Sequence, residues 1–111
     1  MRRDQASVLD MVQAARLALE FVRGIEREDF WSDAKTQSAV IHQLMILGEA
    51  AHRLSIPYRT RHARSPWPQI IGMRNRMIHE YDEVDLEEVW RTLQADLPSL
   101  LERLERLFES E

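Results

Sequence analysis

Cysteine is absent from the 111 residues. Disulfides, Cys-ligated zinc, iron–sulfur clusters and thiol catalysis are excluded with it. Glycine and proline are scarce, at three and four residues. So few turn formers disfavour a turn-rich all-β fold and favour long helices. Aromatic side chains make up only 7% of the chain. No apolar run approaches the ~20 residues a membrane helix needs. Met1-Arg2-Arg3 is not followed by the apolar stretch of a secretory signal. The expectation is a cytoplasmic protein without a membrane segment. Acidic residues are missing from one long segment: residues 50–79 hold six arginines and no Asp or Glu.

What is present suits one globular domain over residues 1–111, with 44% hydrophobic and 31% charged residues. A monomer this small buries only about 65% of its unfolded surface, so a dimer would help stabilise it. The net charge of −4 conceals a segregation: residues 80–111 carry eleven acids against three arginines. Two readings of the arginine segment stand side by side. It pairs with the acidic C-terminal third inside the fold, or it faces an anion such as phosphate.

Apolar spacing lays out the helices. Residues 4–25 read as the first, capped by Asp4, with Val8, Val12, Ala15, Leu19 and Val22 on one stripe. Phe30 and Trp31 sit in a polar link from Glu26 to Asp33 and are expected to pack back on the core. A second helix spans about 32–54, with Val40, Leu44, Leu47, Ala51 and Leu54 inward. Gly48 lies mid-helix, where it costs about 1 kcal/mol relative to Ala and permits close helix approach. Residues 56–68 read as a loop marked by Pro57, Pro66 and Pro68. A third helix follows from Trp67 to near Tyr81, its early prolines suiting a first turn. Asp85 and Glu88 have capping-box spacing for a fourth helix, which Pro98 breaks or kinks. Leu100, Leu101, Leu104, Leu107 and Phe108 form a last amphipathic stretch, possible as a fifth short helix. The fold class is all-α, an up-and-down four-helix bundle.

The sharpest cluster of chemistry is Arg74-Asn75-Arg76-Met77-Ile78-His79-Glu80-Tyr81. His79 can exchange a proton near neutral pH. Arg74 can grip a phosphate by its two-pronged fork and stabilise charge developing there. On an ideal helix Asn75 and His79 share a face, whereas Arg74 and His79 lie about 140° apart. Those two converge only if the helix end distorts or a second subunit supplies one of them. Arg plus His alone fits an ordinary structural pair as well as a site. Glu49-Ala50-Ala51-His52 has the E-x-x-H spacing of di-iron bundles but no second copy, so no metal or other cofactor is expected.

Order and spacing here resemble the HEPN superfamily, and within it the HepT-like branch. Its signature is Arg, four to six residues, then His, extended in HepT-like proteins to R-x4-H-x-Y. Arg74, His79 and Tyr81 satisfy it. The likeness covers nearly the whole chain, including Leu47-Gly48-Glu49-Ala50-Ala51, Pro66-Trp67, Val89-Trp90 and Asp96-Leu97-Pro98. Asp82-Glu83 departs from the aromatic and Gly found in many members. The resemblance implies a metal-independent endoribonuclease toxin. The RNA 2′-OH attacks the adjacent phosphate, leaving a 2′,3′-cyclic phosphate and a 5′-OH end. His79 is then general base or acid, Arg74 binds the scissile phosphate, and Asn75 orients one of them.

It also implies a homodimer with two motifs lining one cleft, and a minimal nucleotidyltransferase antitoxin. In such systems the antitoxin transfers adenylate to the motif tyrosine, here Tyr81. That AMPylation adds bulk and negative charge. Arg76, Arg59, Arg61 and Arg64 are candidates for contacts to the RNA backbone, against a plain surface role for the last three. The alternative is a non-catalytic HEPN module that binds nucleotide or substrate beside a nucleotidyltransferase. A purely structural dimer is the other rival.

Overall fold

The apolar stripes become helices in the computed structural model, which describes residues 2–79 and 83–110. Helix α1 (Arg2–Phe21) buries Val8, Met11, Val12, Ala15 and Ala18 on one face. Gly24 ends the turn that follows at φ 73°, a left-handed conformation that side chains resist. The first helix is therefore shorter than the stripe suggested. A short α2 (Arg27–Trp31) occupies the expected link and sends Phe30 fully into the core. Phe30, Trp31 and Trp90 pack together there, with ring centroids 5.2–6.4 Å apart.

Helix α3 (Ala34–His52) begins where Asp33 accepts the Thr36 N–H at 3.0 Å. It packs most extensively against α1, and both helices carry buried alanines: Ala14, Ala15 and Ala18 on α1, Ala50 and Ala51 on α3. Asp4, the expected cap of α1, instead lies inside its first turn and is buried. Its carboxylate accepts the Ser55 N–H at 2.9 Å and the Ser55 hydroxyl at 2.8 Å, locking the start of α1 to the segment that follows α3. Burial pushes this carboxyl up, but the two Ser55 bonds together with nearby positive charge, Arg3 included, hold the group below the usual aspartate value.

A depressed pKa stabilises the fold above the unfolded value and loses that contribution as pH falls through the folded one. Asp4→Asn should therefore cost about 2 kcal/mol near neutral pH. The gap from wild type should narrow below the ordinary value of 3.8. Urea unfolding at several pH values checks this.

The expected loop at 56–68 holds a helix, α4 (Ile56–Arg61). Ser55 caps it through the Tyr58 N–H, and Pro57 fits a first turn that needs no N–H. The expected third helix is interrupted. It splits at Gly72 into α5 (Trp67–Ile71) and α6 (Met73–Met77), then stops at extended Ile78 rather than near Tyr81. Helix α7 (Leu86–Arg91) starts at Asp85, as the capping spacing predicts. Only half of the box forms: Asp85 accepts the Glu88 N–H, while the Glu88 carboxylate turns to Arg91 and Arg76. Pro98 does not end the helical path. A π-helical turn at Thr92–Asp96 links α7 to α8 (Leu97–Glu109). Proline cannot donate to the carbonyl four residues back, and a widened turn absorbs that loss.

Among the described residues the main helical runs follow the predicted all-α order, α1, α3, α5 with α6, and α7 with α8, with the short α2 and α4 between them. Among the described residues the sole β feature is an isolated bridge between Ile78 and Val84. Gly48 lets α3 approach α5 closely, as its mid-helix place suggests. A Cβ there would sit 3.2 Å from the Ile70 carbonyl oxygen and 3.7 Å from that of Ile71. Gly48→Val should cost about 2–3 kcal/mol, because backbone cannot step aside as a side chain would. Chemical denaturation reads this directly.

Candidate active site

The Arg74 to His79 stretch straddles a helix end. Arg74 and Asn75 lie exposed on α6, whose buried Met73 and Met77 anchor it to the core. The Ile78 N–H donates to the Arg74 carbonyl at 2.9 Å, closing the last helical turn. Ile78 itself is extended, and the His79 N–H donates to the Glu83 carbonyl at 2.7 Å. The ideal-helix separation of Arg74 and His79 therefore does not apply, nor does a shared helical face for Asn75 and His79. The distorted helix end that would let Arg74 and His79 converge is present within one chain.

Charge is arranged unevenly around this end. Among the described residues Arg74 has no ion-pair or hydrogen-bond partner for its guanidinium. Arg76 is held inward: its Nη1 donates to the Gln69 carbonyl at 2.7 Å and its Nε faces Glu88 at 3.4 Å. Arg91, ahead of Arg76, holds the Glu88 carboxyl below its usual range. His79 keeps 52% of its side chain exposed and donates from Nε2 to Asp85 Oδ2 at 3.2 Å. The Glu88 backbone N–H, and after it His79, hold the Asp85 carboxyl below its usual value.

Sequence reasoning found Asp85 only as a helix cap. Its approach to His79 depends on the path between them, which no spacing rule encodes. Tyr81 lies outside the described residues.

Among the described residues the loop arginines Arg59, Arg61 and Arg64 form no ion pair. Arg61 and Arg64 are exposed, and Arg59 is half-buried. Their segment is fixed by Tyr58, fully buried, which packs on His62 at 4.4 Å and on Trp67 at 6.4 Å. Trp67 Nε1 donates to the His62 carbonyl at 3.0 Å. Arg61 lies over the Tyr58 ring at 5.5 Å, and Arg103 Nη1 donates to the Arg64 carbonyl at 2.8 Å. Of the arginine-only segment, Arg76 and His79 pair with the acidic third, and Arg53 pairs with Asp10. Pairing with the acidic third thus holds for Arg76 and His79. Glu49 and His52 are exposed on α3. Among the described residues no three His, Asp or Glu side chains gather as a metal site would require.

A sequence profile described as ribonuclease HepT-like matches residues 11–107. The chain belongs to the HepT-like family of the HEPN superfamily. It is 40% identical over 108 residues to "Probable ribonuclease HepT" of Thermococcus cleftensis, covering 96% of this chain and 98% of the relative. It is 34% identical over 101 residues to "Putative RNase TTE0752" of Caldanaerobacter subterraneus subsp. tengcongensis, covering 91% and 90%. No solved structure matches. In this HepT-like chain no helix among the described residues is long and apolar enough to cross a membrane.

Proposed function

We propose that this HepT-like ribonuclease cuts RNA internally without a metal, using the ribose 2′-OH as nucleophile. The supporting observation is the exposed Arg74 guanidinium, free of ion pairs among the described residues, on the last turn before an exposed, carboxylate-paired His79. His79 takes the 2′-OH proton as that oxygen attacks phosphorus. The P–O5′ bond breaks, giving a 2′,3′-cyclic phosphate and a 5′-OH end. Arg74 neutralises the charge that builds on the phosphoryl oxygens, and Asn75 orients the reacting groups.

Dimerisation would bring two motifs to one cleft, so one His79 acts as base while the other protonates the leaving oxygen. Arg59, Arg61 and Arg64 steer the RNA backbone by charge. Arg76, with 36% of its side chain exposed, adds to that field while staying on Glu88. In this reading the chain is the cytoplasmic toxin of a pair. A nucleotidyltransferase antitoxin silences it by placing adenylate on Tyr81, whose added phosphate repels the substrate.

The test is incubation of the purified, unmodified protein with messenger and transfer RNA in EDTA. Cleavage is expected on at least one of them. No cleavage of either would overturn the reading and favour a HEPN module that only binds.

A further inference from the structure

Asp85 makes three ties at once. Its backbone N–H donates to the Met77 carbonyl at 2.7 Å, where α6 ends. Its Oδ1 accepts the Glu88 N–H at 3.1 Å, where α7 begins. Its Oδ2 accepts from His79 Nε2 at 3.2 Å. The cap and the backbone bond keep this carboxylate from swinging, and the Glu83 carbonyl fixes the His79 backbone from the other side. Glu88 is taken up by Arg91 at 2.7 Å and by Arg76, so it does not compete for the imidazole.

We infer that Asp85 is the positioning residue of the site: it holds His79 through Nε2 and leaves Nδ1 as the nitrogen that exchanges a proton with RNA. The inference rests on the ribonuclease reading for its kinetic consequence and on the hydrogen bonds alone for the pairing. When Nδ1 takes the 2′-OH proton, the ring becomes cationic and Nε2 keeps its own proton. The Asp85 carboxylate stabilises that cation and remains unprotonated itself. When Nδ1 later gives up its proton, the neutral Nε2–H tautomer returns, so the carboxylate selects the starting state for each turnover.

Two substitutions separate positioning from capping. Asn and Ser both serve as helix caps, so Asp85→Asn and Asp85→Ser should keep α7 and the thermal midpoint close to wild type. Asn keeps an acceptor at the same reach but loses the charge. Ser reaches the Glu88 N–H but falls short of the imidazole. The kcat for RNA cleavage should fall on the order of tenfold in Asp85→Asn and a hundredfold in Asp85→Ser, with KM little changed. Unchanged kcat in both variants overturns the inference. The pairing has its own readout, NMR titration of the Asp85 carboxyl carbon. Its midpoint should lie below the usual aspartate value in wild type and rise in His79→Ala, while the Glu88 cap keeps part of the depression. An unmoved midpoint overturns the pairing, whether or not RNA is cut. Absence of cleavage by wild type would instead count against the ribonuclease reading.

Discussion

His79→Ala should lower kcat for RNA cleavage by about 10²–10⁴-fold. The substitution removes an imidazole at the helix end, the side-chain type suited to exchanging a proton near neutral pH. It should leave the fold intact, because His79 is exposed and outside the core, and its backbone bond to the Glu83 carbonyl persists. Asp85 would still cap α7 through the Glu88 N–H. Stability should thus change by no more than about 0.5 kcal/mol. Single-turnover cleavage with circular dichroism and thermal unfolding on the same sample gives both answers. A variant that cuts as fast as wild type would remove His79 from the chemistry.

Arg74→Ala should reduce kcat by about 10²–10³-fold, the loss seen when one preorganised donor to a developing oxyanion is removed. Arg74→Lys should recover only a part. A lysine keeps the charge but lacks the planar fork that grips two phosphoryl oxygens. Arg76→Ala makes the contrast. That guanidinium ties the Gln69 carbonyl to Glu88, so its loss should lower stability by about 1–2 kcal/mol. Arg74 has no such partner among the described residues, and its removal should barely move the unfolding midpoint. If Arg74→Ala unfolded the protein while Arg76→Ala did not, the two roles would have been assigned the wrong way round.

Much of this arrangement was legible in the sequence because it depends on local patterns. The α1 and α3 stripes, the inward turn of Phe30, the close approach at Gly48 and the Asp85 cap each follow from spacing or residue type. The errors share a cause. The helix assigned from Trp67 to Tyr81 has good apolar periodicity, but its end is set by the Ile78–Val84 bridge and by the Asp85 N–H bond to Met77, both non-local. The proline-marked stretch reads as a loop, yet it forms a helix because Ser55 serves two partners, capping through the Tyr58 N–H and binding buried Asp4. Pro98 reads as a break or a kink, and a π turn accommodates it without ending the helical path. The motif residues Arg74 and His79 were visible by their spacing. Their shared setting at a broken helix end, and the carboxylate on His79, came from tertiary structure.

The most direct measurement of the chemistry uses an RNA with a single 2′-deoxy nucleotide at a mapped cleavage position. In EDTA, the protein should leave that bond intact while still cutting the all-ribose RNA to 2′,3′-cyclic phosphate and 5′-OH ends. Cleavage of the deoxy-substituted bond at the wild-type rate, or products ending in 5′-phosphate, would contradict attack by the 2′-OH.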